Sequence, residues 1–224
     1  MIKMCLGLVW ALFFLQSAAA TEPTRFWCNE RFLNPEQRPF DARHLTIAKR
    51  GYLYVLAAAM ALQKDNREGQ THHFALPARM REVDRPPRDR SGFEAVSFEI
   101  DSADGEQTLQ EVIVAFTGSN DDADWKGTNF GADLRQYRLA RRYLKALASQ
   151  RRYHGVRLVV AGFSLGGALA VHVTKHRETS TFVAEAWVFN PSPKTWVSGR
   201  LDRRIWLAAV QSEALHFARN RFVA

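Results

Sequence analysis

Four short apolar runs punctuate the chain: EVIVAF (111–116), VRLVVAGF (156–163), TFVAEAWVFN (181–190) and RRIWLAAV (203–210). Runs of this length predict strands buried on both faces. GFEAVSFEI (92–100) alternates and predicts a further strand, with DSADGEQ turning after it. Helical spacing fills the gaps. Asp41 is placed to cap a helix running to about Lys64, and Leu45, Ala48, Tyr52, Val55, Ala59 and Leu62 recur as its buried face. Residues 132–150 set Leu134, Tyr137, Leu139, Tyr143, Leu144 and Leu147 against Arg135, Arg138, Arg141, Arg142 and Lys145, an amphipathic helix with a basic outer face. A further helix follows VRLVVAGF. Buried strands alternating with helices predict an α/β fold on a mostly parallel sheet.

Two stretches lack such periodicity. Residues 21–40 carry Pro23, Pro35 and Pro39 and are expected to be an irregular lead-in. Residues 65–91 are polar and Arg-rich, with Pro77, Pro86 and Pro87. They are expected to form a long surface loop, a candidate lid by length. His72 and His73 lie in it as solvated side chains. No internal repeat or low-complexity segment is present, and residues 21–224 are expected to form a single domain.

The first twenty residues are of a different kind. Lys3 precedes the apolar run CLGLVWALFFL, too short for an ordinary membrane span, and SAAA follows. This predicts a secretory signal peptide over residues 1–20, cut after Ala20, and a secreted or periplasmic protein. Cys5 would leave with it and Cys28 would stand alone, which excludes an intramolecular disulfide and a cysteine metal site.

Composition adds two points. A hydrophobic fraction of 46% over 224 residues supports a buried core rather than disorder. A formal charge of +8, carried mostly by Arg, favours anionic partners or a solvated basic surface. With no reading motif beyond charge, nucleic acid is not expected as a partner.

The chemistry concentrates in VVAGFSLGGALAVH (159–172). A Gly-x-Ser-x-Gly turn follows a strand and opens a helix of small residues. Gly162 and Gly166 let strand and helix approach, and the turn exposes Ser164 as a candidate nucleophile. The amide of Leu165 is one natural donor to a developing oxyanion. AFTGS (115–119) ends the earlier buried strand. There Gly118 permits a tight turn, and Ser119 could supply a second donor or simply occupy an ordinary loop.

GFSLGGALA, AFTGS, DWKGTNF and VFNPSP, in this order and spacing, resemble the class 3 (fungal-type) lipases of the α/β-hydrolase fold. The resemblance covers roughly residues 41–213. It implies Ser164 as nucleophile, Ser119 in the oxyanion hole, hydrolysis of carboxylic esters of lipids, and no cofactor or metal. Thr117 stands where that family commonly has Arg, and Phe163 where it commonly has His.

The order of an α/β-hydrolase triad is Ser, acid, His. The acid then falls after RRIWLAAV, at Glu213; Asp202 lies at the far end of that strand. Glu213 equally suits the first turn of a helix beginning at Ser212. His216 is the one histidine after it, three residues on, and that spacing does not hold a base between the acid and a distant serine. His172 and His176 lie down the helix after the turn, without the Glu of a zinc-protease motif. Three readings stay open: a C-terminally truncated version of a longer enzyme, lacking the final strand and helix; an enzyme with an unusual base; or a catalytically inactive relative whose Arg-rich helix docks on anionic lipid or another polyanion. The first is the reading adopted. An esterase, lipase or phospholipase fits it best, and a thioesterase or peptidase shares the same fold.

Overall fold

The structure is a computed structural model and describes residues 25–28, 42–63, 74–103, 108–118, 134–198 and 200–210. Among the described residues, seven strands form one sheet in the order β1-β7-β6-β5-β4-β3-β2. They are β1 (Arg25–Cys28), β2 (Met80–Asp84), β3 (Ala95–Asp101), β4 (Leu109–Phe116), β5 (Arg157–Phe163), β6 (Glu185–Phe189) and β7 (Ile205–Val210). From β4 to β1 every neighbouring pair is parallel, while β3 runs antiparallel to both β2 and β4. The mostly parallel α/β sheet expected from the apolar runs is present.

Three α-helices among the described residues pack on it: α1 (Ala42–Leu62), α2 (Arg135–Ala148) and α3 (Leu165–Lys175). The central strands β4, β5 and β6 are largely buried on both faces because helices cover both. Val112, Val114 and Phe116 of β4 join the core shared with α2 and α3, while Ile113 and Ala115 join the core beneath α1.

Three expectations need correction. First, α1 forms where predicted but buries a different face. Leu45, Tyr52 and Val55 are exposed, and Gly51, Tyr54, Ala57, Ala58 and Ala61 are buried. Close approach to the sheet selects small residues here: a Cβ on Gly51 would sit 2.5 Å from the Trp187 ring. Second, the region read as a loop contains β2, an edge strand whose Arg81 pairs with Glu99 and Asp101 of β3. Third, the lead-in contains β1, whose backbone pairs parallel with β7.

At the N-terminal ends of the central strands, Arg157 of β5 bridges Glu111 of β4 and Glu185 of β6, and Tyr54 of α1 donates to Glu111. Burial first, then the neighbouring Glu111 carboxylate, push the Tyr54 hydroxyl up to about 12. Tyr54 and Trp206 each stack on Trp187, with ring centroids 5.2 Å away. This end of the sheet is a structural knot, opposite the end that carries Ser164.

Candidate functional site

Ser164 sits between β5 and α3, half-buried, with φ 53° and ψ −120°. A side chain in this backbone region is strained and persists only where its surroundings hold it. Here they do. Its N–H donates to the Phe189 carbonyl at 3.0 Å, and its carbonyl accepts from Ala168 at 3.1 Å and Ser192 at 2.9 Å. The serine is thus clasped between the end of β6 and the first turn of α3.

The glycines explain how the turn closes. A Cβ on Gly162 would lie 2.3 Å from the Gly166 backbone, and one on Gly166 would lie 2.0 Å from the Phe116 carbonyl oxygen. Real Cβ atoms do not approach backbone that closely, so the strand-to-helix crossing requires both positions bare. Gly167 serves the same purpose toward Pro191, where a Cβ would come within 2.9 Å.

The turn points the N-terminus of α3 at the serine. Leu165 is its first helical residue. The opening amides of a helix have no acceptor within it, and they form the positive end of its dipole. Were an acyl group to be attacked by Ser164 Oγ, its carbonyl oxygen would develop negative charge near these amides. From the other side, the chain leaving β4 passes close by: a Cβ on Gly118 would be 2.9 Å from the Phe163 carbonyl oxygen and 3.6 Å from Ser164 Cβ. Thr117 anchors that exit, its Oγ1 donating to the Ala61 carbonyl at 2.9 Å. Ser119 follows directly but lies outside the described residues, as do Glu213 and His216.

β7 runs parallel to β6, so Val210 ends at the same sheet edge as Ser164. Asp202 precedes the strand, at the opposite edge, and its carboxylate takes two hydrogen bonds from the Arg204 guanidinium, at 2.7 and 3.0 Å. Asp202 therefore belongs to that far edge, as its position in the sequence implies.

The described histidine side chains lie away from the turn at Ser164. His154 is exposed in the turn before β5, a strand length from Ser164. His172 lies two turns down α3, 2% exposed. Its Nδ1 is 2.8 Å from the Thr195 carbonyl and its Nε2 is 2.7 Å from Arg141 Nη1. A carbonyl only accepts and a guanidinium only donates, so the proton is on Nδ1 and the ring is neutral. Burial, helped by the Arg141 and His176 charges and opposed by the Thr195 carbonyl, draws its pKa down to about 4. His176 is also shifted down, chiefly by burial. Among the described residues no cluster of three or more His, Cys, Asp or Glu could hold a metal ion.

The role of the 189–192 segment as a clasp on Ser164 was not readable from the motif. Its only signal is VFNPSP, where Asn190 takes φ 41° and donates its N–H to the Ala208 carbonyl at 2.8 Å.

A family model described as a Tle-like phospholipase domain matches residues 69–191. The matched span includes Ser119, Ser164 and Leu165 and ends before Glu213 and His216. No curated protein matches the chain. Among solved structures, the extracellular lipase LipA from Serratia marcescens is similar over 54% of this chain, at 18% identity and a TM-score of 0.31. The aligned part is 24% of that lipase, so the chain spans about a quarter of its length.

Proposed function

The chain belongs to the Tle-like phospholipase domain family, and from that premise we propose that it is a serine hydrolase of lipid carboxylic esters, exported by the signal peptide at residues 1–20. The observation that carries this is the held, strained backbone of Ser164 at the N-terminus of α3. In the proposed reaction Ser164 Oγ attacks the ester carbonyl carbon while its proton passes to a base. The Leu165 amide and Ser119 stabilise the oxyanion. The C–O bond to the alcohol then breaks, the alcohol takes the proton, and water releases the acid from the acyl-serine.

Glu213 is proposed as the acid, and His216, only three residues on, as the base in an arrangement unlike the usual triad, the second of the readings that the sequence leaves open. This assignment is supported by the direction of β7, which delivers the chain to the edge carrying Ser164. The hydrolase-type reading of the sheet is supported by the strand–elbow–helix unit at its centre. The likeness to class 3 lipases rests on the sequence motifs, which fit a lipase-like family. The substrate class proposed is a phospholipid or other lipid ester, with peripheral contact to an anionic membrane.

A second reading has one observation in its favour: Arg138 and Arg142 on α2 are exposed, which suits a catalytically inactive relative that binds anionic surfaces. A fluorophosphonate ester probe separates the two on the full chain. Covalent labelling of the wild type and none of Ser164→Ala supports the hydrolase. Folded wild type that does not label overturns it in favour of the binder.

A further inference from the structure

Arg138, Arg141, Arg142 and Lys145 follow one another on α2 at spacings that place them along one stripe. With Glu178, from the turns after α3, they line a groove of about 380 Å3. Like charges at this spacing repel, so a stripe of four cations carries a cost to the helix unless anions answer it. Within the described residues the answer is thin. The Glu178 carboxylate stands 3.6 Å from Arg141 Nε and 3.9 Å from Lys145 Nζ, beyond hydrogen-bond reach of both. The Arg138 and Arg142 side chains have no ion pair or hydrogen bond there.

Arg141 is the informative member. Its side chain is 17% exposed. Nη1 is held by neutral His172 at 2.7 Å, and His172 is held in turn by the Thr195 carbonyl. Nε is buried and has no hydrogen-bond partner. A buried guanidinium N–H without an acceptor is costly. Arg141 is thus held from behind by His172, with three exposed cations ranged beside it along the groove. Guanidinium forks match the oxygens of phosphate in pairs, and an ammonium adds a point charge.

We propose that this groove binds a phosphate group, separately from the Ser164 elbow and whether or not that serine is active. The occupant is a phosphomonoester or phosphodiester, with its oxygens on the exposed Arg138 and Arg142 guanidinium forks and the Lys145 ammonium.

The test is calorimetric titration of the full chain with inorganic phosphate and with dihexanoyl phosphatidic acid, together with sedimentation on phosphatidylcholine vesicles doped with phosphatidic acid or with oleate. Both soluble probes are expected to bind, and R138Q/R142Q is expected to weaken them roughly tenfold or more. R138K/R142K, which keeps charge and loses the fork, should fall between. Both positions are exposed, so these variants should fold, and fluorophosphonate labelling should be unchanged from wild type. Binding of free phosphate identifies a discrete site. Binding of phosphatidate vesicles alone, lost in R138Q/R142Q, identifies a lipid headgroup as the source. Absence of all binding overturns the proposal. So does equal binding by wild type and R138Q/R142Q, or equal retention on oleate vesicles.

Discussion

Replacing Ser164 by glycine should make the protein more stable, and replacing it by alanine should not. The serine is held at φ 53°, ψ −120° by hydrogen bonds to Phe189, Ala168 and Ser192. A non-glycine residue in such a region costs on the order of 1–3 kcal/mol. Alanine keeps the Cβ and keeps that cost. Glycine removes it, at an offset of about 0.5–1 kcal/mol from the freedom glycine gains in the unfolded chain. The backbone bonds that fix the turn involve no side chain, so they survive in both variants. The net expectation is that S164G exceeds S164A by about 1 kcal/mol, or about 2–4 °C in Tm for a domain of this size. Urea melts with matched m values read the difference, and neither variant should label with a fluorophosphonate. If S164G proves no more stable than S164A, the turn is not strained. The inference from a strained backbone to a functional serine then fails with it.

Two further outcomes follow from the geometry. Gly166→Ala gains about 1 kcal/mol of helix propensity, yet its Cβ would meet the Phe116 carbonyl at 2.0 Å. Backbone on both sides cannot yield cheaply, so overpacking of about 1–3 kcal/mol or more should win. The variant should melt earlier in urea and lose Ser164 labelling, and an unchanged midpoint would contradict the close crossing. His172 predicts a pH dependence. Its folded pKa lies near 4 against an ordinary 6.5, so the unfolded state binds more protons between those values. The stability is full above about pH 6.5 and is lost as pH falls toward 4, by about 3 kcal/mol at the limit. Urea melts of wild type and His172→Gln across that window should converge as pH falls, and parallel curves would refute the assignment.

The sequence was most legible where a covered sheet leaves no choice. β4, β5, β6 and β7 are apolar runs whose few polar residues lie at their N-terminal ends, and they sit close to where the pattern put them. The elbow was legible because bare positions on both sides of Ser164 have few other uses. The face of α1 was not. Leu45, Tyr52 and Val55 look like a core stripe, but the sheet wanted the small side, where Trp187 can reach Gly51. β2 was hidden because MREVD is an edge strand with a single fully buried residue, held partly by ion pairs whose partners lie far along the chain. Arg141 and His172 illustrate the same limit: neither residue announces the other, and only packing of α2 on α3 joins them.

The bridge from Arg157 to Glu111 and Glu185 has a consequence at the other end of the molecule. These three residues stand on adjacent central strands and all face α1. Because side chains alternate, sliding any of these strands by one residue would turn its charge to the opposite face and break the bridge. The triad therefore acts as an alignment key. It sets the height of Phe163 against Phe189 and of Gly162 against Phe116, and so the level at which Ser164 emerges. Loops beyond the strand ends can then lengthen, shorten or change composition while the serine stays at the same elevation above the sheet. A family built on such a keyed sheet is free to vary what it accepts without having to rebuild where it reacts.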